Sequence, residues 1–217
     1  MHIQSTFRAR PVDASPNEPG SVSALLTSMQ PAAVTLYAAD APIYSQGDEA
    51  GPLYLVEFGA VRICRLTADG RRQITAFHTA GDIFGFEAGN EHDSYAESVD
   101  GVGIRVLRSA TGSEATGSIL SLALKSLART QHHLMVLGRR TANEKMAALL
   151  VDLSERQGDD RQVKLPMQRN DIADYLGLTF ETVSRVLRFL KDQRIIRLQS
   201  VDRIEILDLD ALAALSD

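Results

Sequence analysis

The chain has one cysteine, Cys64, and no tryptophan among its 217 residues. A single thiol excludes an intramolecular disulfide and fits a reducing cytoplasm. No apolar run approaches the roughly 18 residues that span a bilayer. The first twenty residues, MHIQSTFRARPVDASPNEPG, carry no apolar core, so no secretory signal is expected. Their Pro, Ser and Asn content suggests a frayed tail. No internal repeat appears. Metal motifs, a phosphate-cradling glycine loop and a nucleophile–base arrangement are also lacking. Asp48 with Glu49, and Glu91 with Asp93, are paired carboxylates in polar loops, where solvated ions are the default. The composition therefore gives catalysis little support.

What is present is an ordinary globular mix, 44% hydrophobic and 24% charged, with a net charge of −5. That charge is uneven. Between Arg161 and Arg203 there are nine Lys/Arg and five acids, so this segment is +4 and the remainder −9. A basic segment in an acidic chain is compatible with a polyanionic partner, though also with a solvated face.

From Ala33 to Leu107 short apolar runs alternate with turn signals. AVTLY, PIYSQGD, PLYLVEFGAVRICRL, RRQITAF and GVGIRVL read as strands, and TADG (67–70) as a hairpin turn. Many short strands suggest a small β-barrel or sandwich. From about Ser113 the period changes. Leu120, Leu124, Leu127, Gln131, Leu134 and Gly138 are spaced 4, 3, 4, 3, 4, the seam of a helix that pairs with another. A helix over about 143–156 and a polar connector, RQGDDRQ, follow.

The last 55 or so residues read as helix, turn, helix and two strands, RIIRLQ and RIEILDL. In an α-helix successive residues are about 100° apart. With Glu181 at the origin, Ser184 lies at about 300°, Arg185 at about 40° and Arg188 at about 340°. Val183, Val186, Leu187 and Leu190 fall on the opposite side. They are expected to dock on Ile172, Ala173 and Leu176 of the preceding helix. Thr179 is a good N-cap and Gly177 suits a left-handed helix end. Two such helices joined at a glycine turn are a helix-turn-helix signature, whose second helix enters the major groove. There Glu can accept from cytosine and Arg can fork onto guanine. Glu181 and Arg185 could instead form only an intrahelical i, i+4 pair.

RNDIADYLGLTFETVSRVLRFLKDQRIIRL resembles the DNA-binding segment of the CRP/FNR family of bacterial transcription regulators. Glu181–x–x–Ser184–Arg185 matches its FNR-type reading set. GAVRICRLTADGRRQITAFHTAGDIFGFEAGNEH is similar to the family's β-roll, in its FixK-like branch, and the likeness runs from about Ala33 to Leu209. The resemblance implies an α+β chain: a tail over 1–28, a jelly-roll β-roll like those that bind cyclic nucleotides over 29–110, a dimerisation helix over 111–142 and a winged helix-turn-helix over 143–217. It implies a cytoplasmic homodimer on double-stranded DNA bearing a TTG-N8-CAA-like palindrome, with RNA polymerase as partner. Glu181, Ser184 and Arg185 would read bases. Arg188, Thr179, Thr182, Arg169 and Gln168 complete the expected DNA-facing set.

The effector motifs of the family are not matched. A cyclic nucleotide phosphate needs a forked cation. Here GDIFGFEAGNEHDSYAES offers His92 and Asp93, and Asp93 would repel it. Gly81, Asp82, Gly85, Glu87, His92 and Asp93 are therefore expected to form a vestigial effector pocket. One cysteine cannot hold an iron–sulfur cluster. Arg62 and Arg65 could lower the Cys64 pKa, although a lone strand cysteine is more often a buried hydrophobe. His78, His92, His132 and His133 could be haem ligands but lack a paired partner at diagnostic spacing. No cofactor and no metal are expected. A regulator gated by another ligand in the β-roll, or a cyclic-nucleotide-binding module acting on a protein, remain the alternatives.

Overall fold

The computed structural model describes residues 33–68, 70–108, 113–159 and 161–216. The expected tail at 1–28 and the first two residues of the expected dimerisation helix lie outside them. The architecture is α+β. Eight antiparallel strands come first: β1 (Val34–Tyr37), β2 (Pro42–Tyr44), β3 (Leu53–Phe58), β4 (Ala60–Leu66), β5 (Arg72–Thr79), β6 (Ile83–Phe84), β7 (Tyr95–Ser98) and β8 (Val102–Leu107). They form two sheets, ordered β1-β8-β3-β6 and β2-β7-β4-β5. Tyr44, Tyr54, Val56, Val61, Phe84, Ala96, Val102 and Ile104 fill the space between them.

PLYLVEFGAVRICRL is two strands in two sheets. It breaks at Gly59, with φ +83°, where a Cβ would come within 2.2 Å of the Gly101 carbonyl oxygen. Only glycine fits so close a backbone approach. β6 and β7 have no counterpart in the sequence reading. β7 lies in what reads as a polar loop and is held by partners on both sides, β2 and β4. β4 and β5 pair from Leu66↔Arg72 to Ala60↔Thr79, flanking the hairpin turn expected at 67–70, of which Asp69 lies outside the described residues.

α1 (Ser113–Leu137) packs Ile119 and Leu122 on the first sheet beside Leu53, Leu55, Ile83 and Leu107. α2 (Ala142–Gln157) starts at a capping box: Thr141 Oγ1 accepts from Glu144 N–H, and Glu144 accepts from Arg140 N–H and the Thr141 hydroxyl. Three strands, β9 (Gln162–Lys164), β10 (Ile196–Leu198) and β11 (Arg203–Ile206), make a small sheet ordered β10-β11-β9. The sequence reading has only the last two. α3 (Arg169–Leu176) and α4 (Phe180–Asp192) lie between β9 and β10. A final helix, α5 (Leu209–Ser216), was also not foreseen, although Asp208 caps it by accepting from Ala211 N–H. One hydrophobic cluster joins Cys64, Ile74 and Phe77 of the β-roll to α2, α3, α4 and the small sheet. No described helix is long and apolar enough to cross a membrane.

Candidate nucleic-acid interface

α3 ends at Gly177 in the left-handed conformation (φ 63°, ψ 43°), its N–H bonded to the Ala173 carbonyl. Two residues later Thr179 caps α4, its Oγ1 accepting from Thr182 N–H at 3.2 Å. The turn is therefore short and fixed at both ends. Val183, Val186, Leu187 and Leu190 of α4 are buried, as are Ile172, Ala173 and Leu176 of α3. Burying each large side chain contributes about 1.5–3 kcal/mol. The docking face of α4 is thereby buried among α2, α3 and the small sheet, and the opposite face stays exposed.

On that opposite face Glu181, Arg185 and Arg188 are exposed, as is Thr179 at its start. Arg185 Nη2 donates to Thr182 Oγ1 at 3.3 Å. The Glu181 carboxyl is held below its usual pKa by its own backbone N–H, by the Thr179 hydroxyl and by Arg185. It is ionised and an acceptor at neutral pH, as pairing with a cytosine amino group requires. Ser184 lies at the edge of this face. It is half-buried, and its Oγ is enclosed with no hydrogen-bond partner among the described residues. Gln168 is exposed at the N-cap position of α3 but makes no side-chain cap, and Arg169 after it is half-buried. In the small sheet Arg197 pairs with Glu205 at 2.8 Å across β10 and β11.

The expected seam on α1 is uncovered in the single chain. Leu120, Leu124, Leu127 and Leu134 are 52–62% exposed. Gln131 is exposed too, and Gly138 lies just beyond the helix end. Four leucines in one exposed row are an apolar stripe of the kind that a second helix covers.

Of the six residues expected in a vestigial pocket, Glu87, His92 and Asp93 come together, while Gly81, Asp82 and Gly85 are engaged with other parts of the chain. Glu87 accepts from Asp93 N–H at 3.4 Å and lies 3.1 Å from His92 Nδ1. His92 is buried and stacks on Tyr44, ring centroids 3.6 Å apart. Gly85 sits under the Tyr54 ring, 2.8 Å from where a Cβ would be. Gly81, at φ +88°, makes the turn after β5 and donates to Val56. Asp82 turns to the helices instead, bonding Arg129 at 2.6 Å and Arg156 at 3.1 Å. Its pKa is lowered: burial opposes ionisation, but Arg129, the Thr79 N–H and Arg156 outweigh it.

Cys64 is buried, as a lone strand cysteine more often is, and the neighbouring arginines do not activate it. Burial and Glu97 push its thiol up to about 11, against the opposing pull of Arg72 and Arg62. His133 is buried between elements, with Nδ1 3.1 Å from the Thr75 carbonyl and Nε2 2.9 Å from the Tyr175 carbonyl. Its ring also stacks on Tyr175 at 3.7 Å. It joins α1 to β5 and α3, a junction role that its place in the sequence did not reveal. His78 is buried and stacked on Phe84, and burial pushes its pKa down to about 4. Among the described residues no group of three or more His, Cys, Asp or Glu could hold a metal ion.

Comparison with known proteins agrees with this geometry. Residues 144–215 match the Crp-like helix-turn-helix domain and residues 34–100 the cyclic nucleotide-binding domain. The chain is 48% identical over 185 residues to the nitrogen fixation regulation protein FixK of Rhizobium meliloti, covering 85% of this chain and 88% of that one. It is 42% identical to the FixK protein of Azorhizobium caulinodans, covering 83% and 77%. The structure of FixK2 from Bradyrhizobium japonicum superposes with a TM-score of 0.80 at 35% identity, covering 86% of this chain and 98% of that one.

Proposed function

Since this chain belongs to the CRP/FNR family of DNA-binding transcription regulators, among its FixK-like members, we propose that it works as a cytoplasmic homodimer that binds a TTG-N8-CAA-like palindrome and activates transcription through contact with RNA polymerase. The observation that carries this reading is α4. One face is buried among α2, α3 and the small sheet, and the other presents an ionised Glu181 beside Arg185 at a capped helix start. Glu181 and Arg185 read base edges, and Ser184 joins them when its Oγ, enclosed in the free chain, turns outward. Arg188, Thr179, Thr182, Arg169 and Gln168 hold the backbone. The uncovered leucines of α1 pair the two copies and set two reading helices on two half-sites. The chain works as a β-roll, a dimerisation helix and a winged helix-turn-helix, in that order.

No added effector is needed for DNA binding. A ligand shifts a two-state equilibrium only by its differential affinity. In the β-roll the aromatic rings of Tyr44, Tyr54 and Phe84 pack with His92, and Glu87 is engaged by His92 and Asp93. That packing supports a β-roll interior occupied by the protein's own side chains. The test is a titration of a palindromic duplex with aerobically purified, metal-free protein, with and without cyclic AMP. Specific binding without the nucleotide is expected. Binding only with cyclic AMP would establish the gated alternative, and equal binding to a scrambled duplex would end the operator reading.

A further inference from the structure

Arg72 lies at the start of β5, and its guanidinium reaches across to the first helix of the helix-turn-helix. Nη2 meets Asp171 Oδ1 at 2.6 Å and Nε meets Asp174 Oδ2 at 2.9 Å. The next residue adds a second grip, Gln73 Nε2 donating to the Asp174 carbonyl at 2.7 Å. Behind Arg72, Arg62 of β4 binds Asp40 at 2.7 Å and Glu97 at 2.8 Å, and lies 3.5 Å from the same Asp171. Asp171 and Arg62 are almost wholly buried, their side chains 4% and 8% exposed. Burial works against the Arg62 charge, but Asp40, Glu97 and Asp171 outweigh it, so its pKa is raised.

This is a directional joint. Apolar packing alone tolerates sliding, whereas a guanidinium fork set on two carboxylates one helical turn apart admits one orientation. Asp171 and Asp174 face β5, while Ile172 and Leu176 of the same helix are buried in the core that holds α4. Whatever fixes α3 therefore fixes α4. The clasp leaves Glu181 and Arg185 exposed, so it is compatible with DNA in the groove.

We infer that Arg72 is a positioning residue for palindrome recognition: by holding Asp171 and Asp174 it sets the angle of α4 to the β-roll, so that two copies present their reading helices at a preset separation. This rests on the dimeric operator reading above. A flexible joint would still bind one half-site but would lose much of the effective concentration of the second helix.

The experiment measures dissociation constants for a full palindromic duplex and for a duplex with one half-site scrambled. It uses the full chain, Arg72→Gln, Asp174→Asn and the double variant. Each single variant should bind the palindrome about tenfold more weakly, with half-site binding within about twofold of the parent. The double variant should match Arg72→Gln, which already removes the bond to Asp174. Equal losses on both duplexes, unchanged palindrome binding, or tighter binding would each overturn the inference, the last by making the clasp inhibitory. Hydrogen exchange of α3 amides reads the joint without DNA. It should quicken in Arg72→Gln, and unchanged exchange would overturn the clasp. Failure of the unaltered protein to bind either duplex would instead sink the operator reading, leaving the joint to be judged by exchange.

Discussion

Arg129 of α1 and Asp82 of the turn after β5 meet at 2.6 Å, and with Arg156 of α2 they tie both helices to the β-roll. The carboxylate is the shared partner of two cations. Asp82→Asn should lower the unfolding free energy by about 1–3 kcal/mol at neutral pH, since it weakens several charge-assisted bonds at once. The folded pKa lies below the ordinary 3.8. The stabilisation is therefore present above that value and lost as pH falls through the lower, folded one. Urea melts at neutral and at acid pH should show the gap between parent and variant closing in acid.

His78 gives an acid sensitivity at higher pH. Its folded pKa is about 4 against 6.5 when unfolded. Between those values the unfolded chain binds more protons, so stability falls as pH falls from 6.5 towards 4. The full effect is roughly 3 kcal/mol. His78→Leu should flatten this part of the stability–pH curve. A curve of unchanged slope over that range would mean that another group titrates there.

Arg185→Ala should leave the melting curve in place, because the side chain is exposed on α4 and its loss opens no cavity. Discrimination between palindrome and scrambled duplex should drop by about 1–3 kcal/mol per half-site. Undiminished discrimination would remove Arg185 from the reading set.

Leu127→Lys places a charge in the middle of the exposed leucine row of α1. In a dimer that charge would be buried without a partner, which is strongly unfavourable. Sedimentation should show a monomer, and palindrome affinity should collapse with it. An intact dimer would move the interface away from this seam.

The parts legible in the sequence are those whose causes are local. The amphipathic period of α4, its Thr179 cap and the Gly177 stop lie within fifteen residues of one another, and each appears in the structure where expected. The leucine row on α1 was legible for the same reason, as a spacing. β7 was not, because Tyr95–Ser98 is a strand only through its neighbours β2 and β4. β9 depends likewise on β11. His133 has no local pattern that says it will bridge Thr75 and Tyr175, whereas the burial of Cys64 follows from its place in a strand. Asp82 leaves the expected pocket for a similar reason, being drawn away by arginines 47 and 74 residues distant.

β5 is the outermost strand of its sheet, and α3 lies against it. The bonds joining them close loops of 99 and 102 residues. At a synthesis rate of about 5–20 residues per second, β5 leaves the ribosome roughly 5–20 s before the helix that shields it. During that interval an edge of unpaired backbone and a charged, half-apolar face stand open, the form in which strands recruit one another. Long closures are also slow to find. The contact inferred to orient the finished molecule therefore cannot form until α3 has emerged, and until then the β-roll carries this edge without the helix that packs on it.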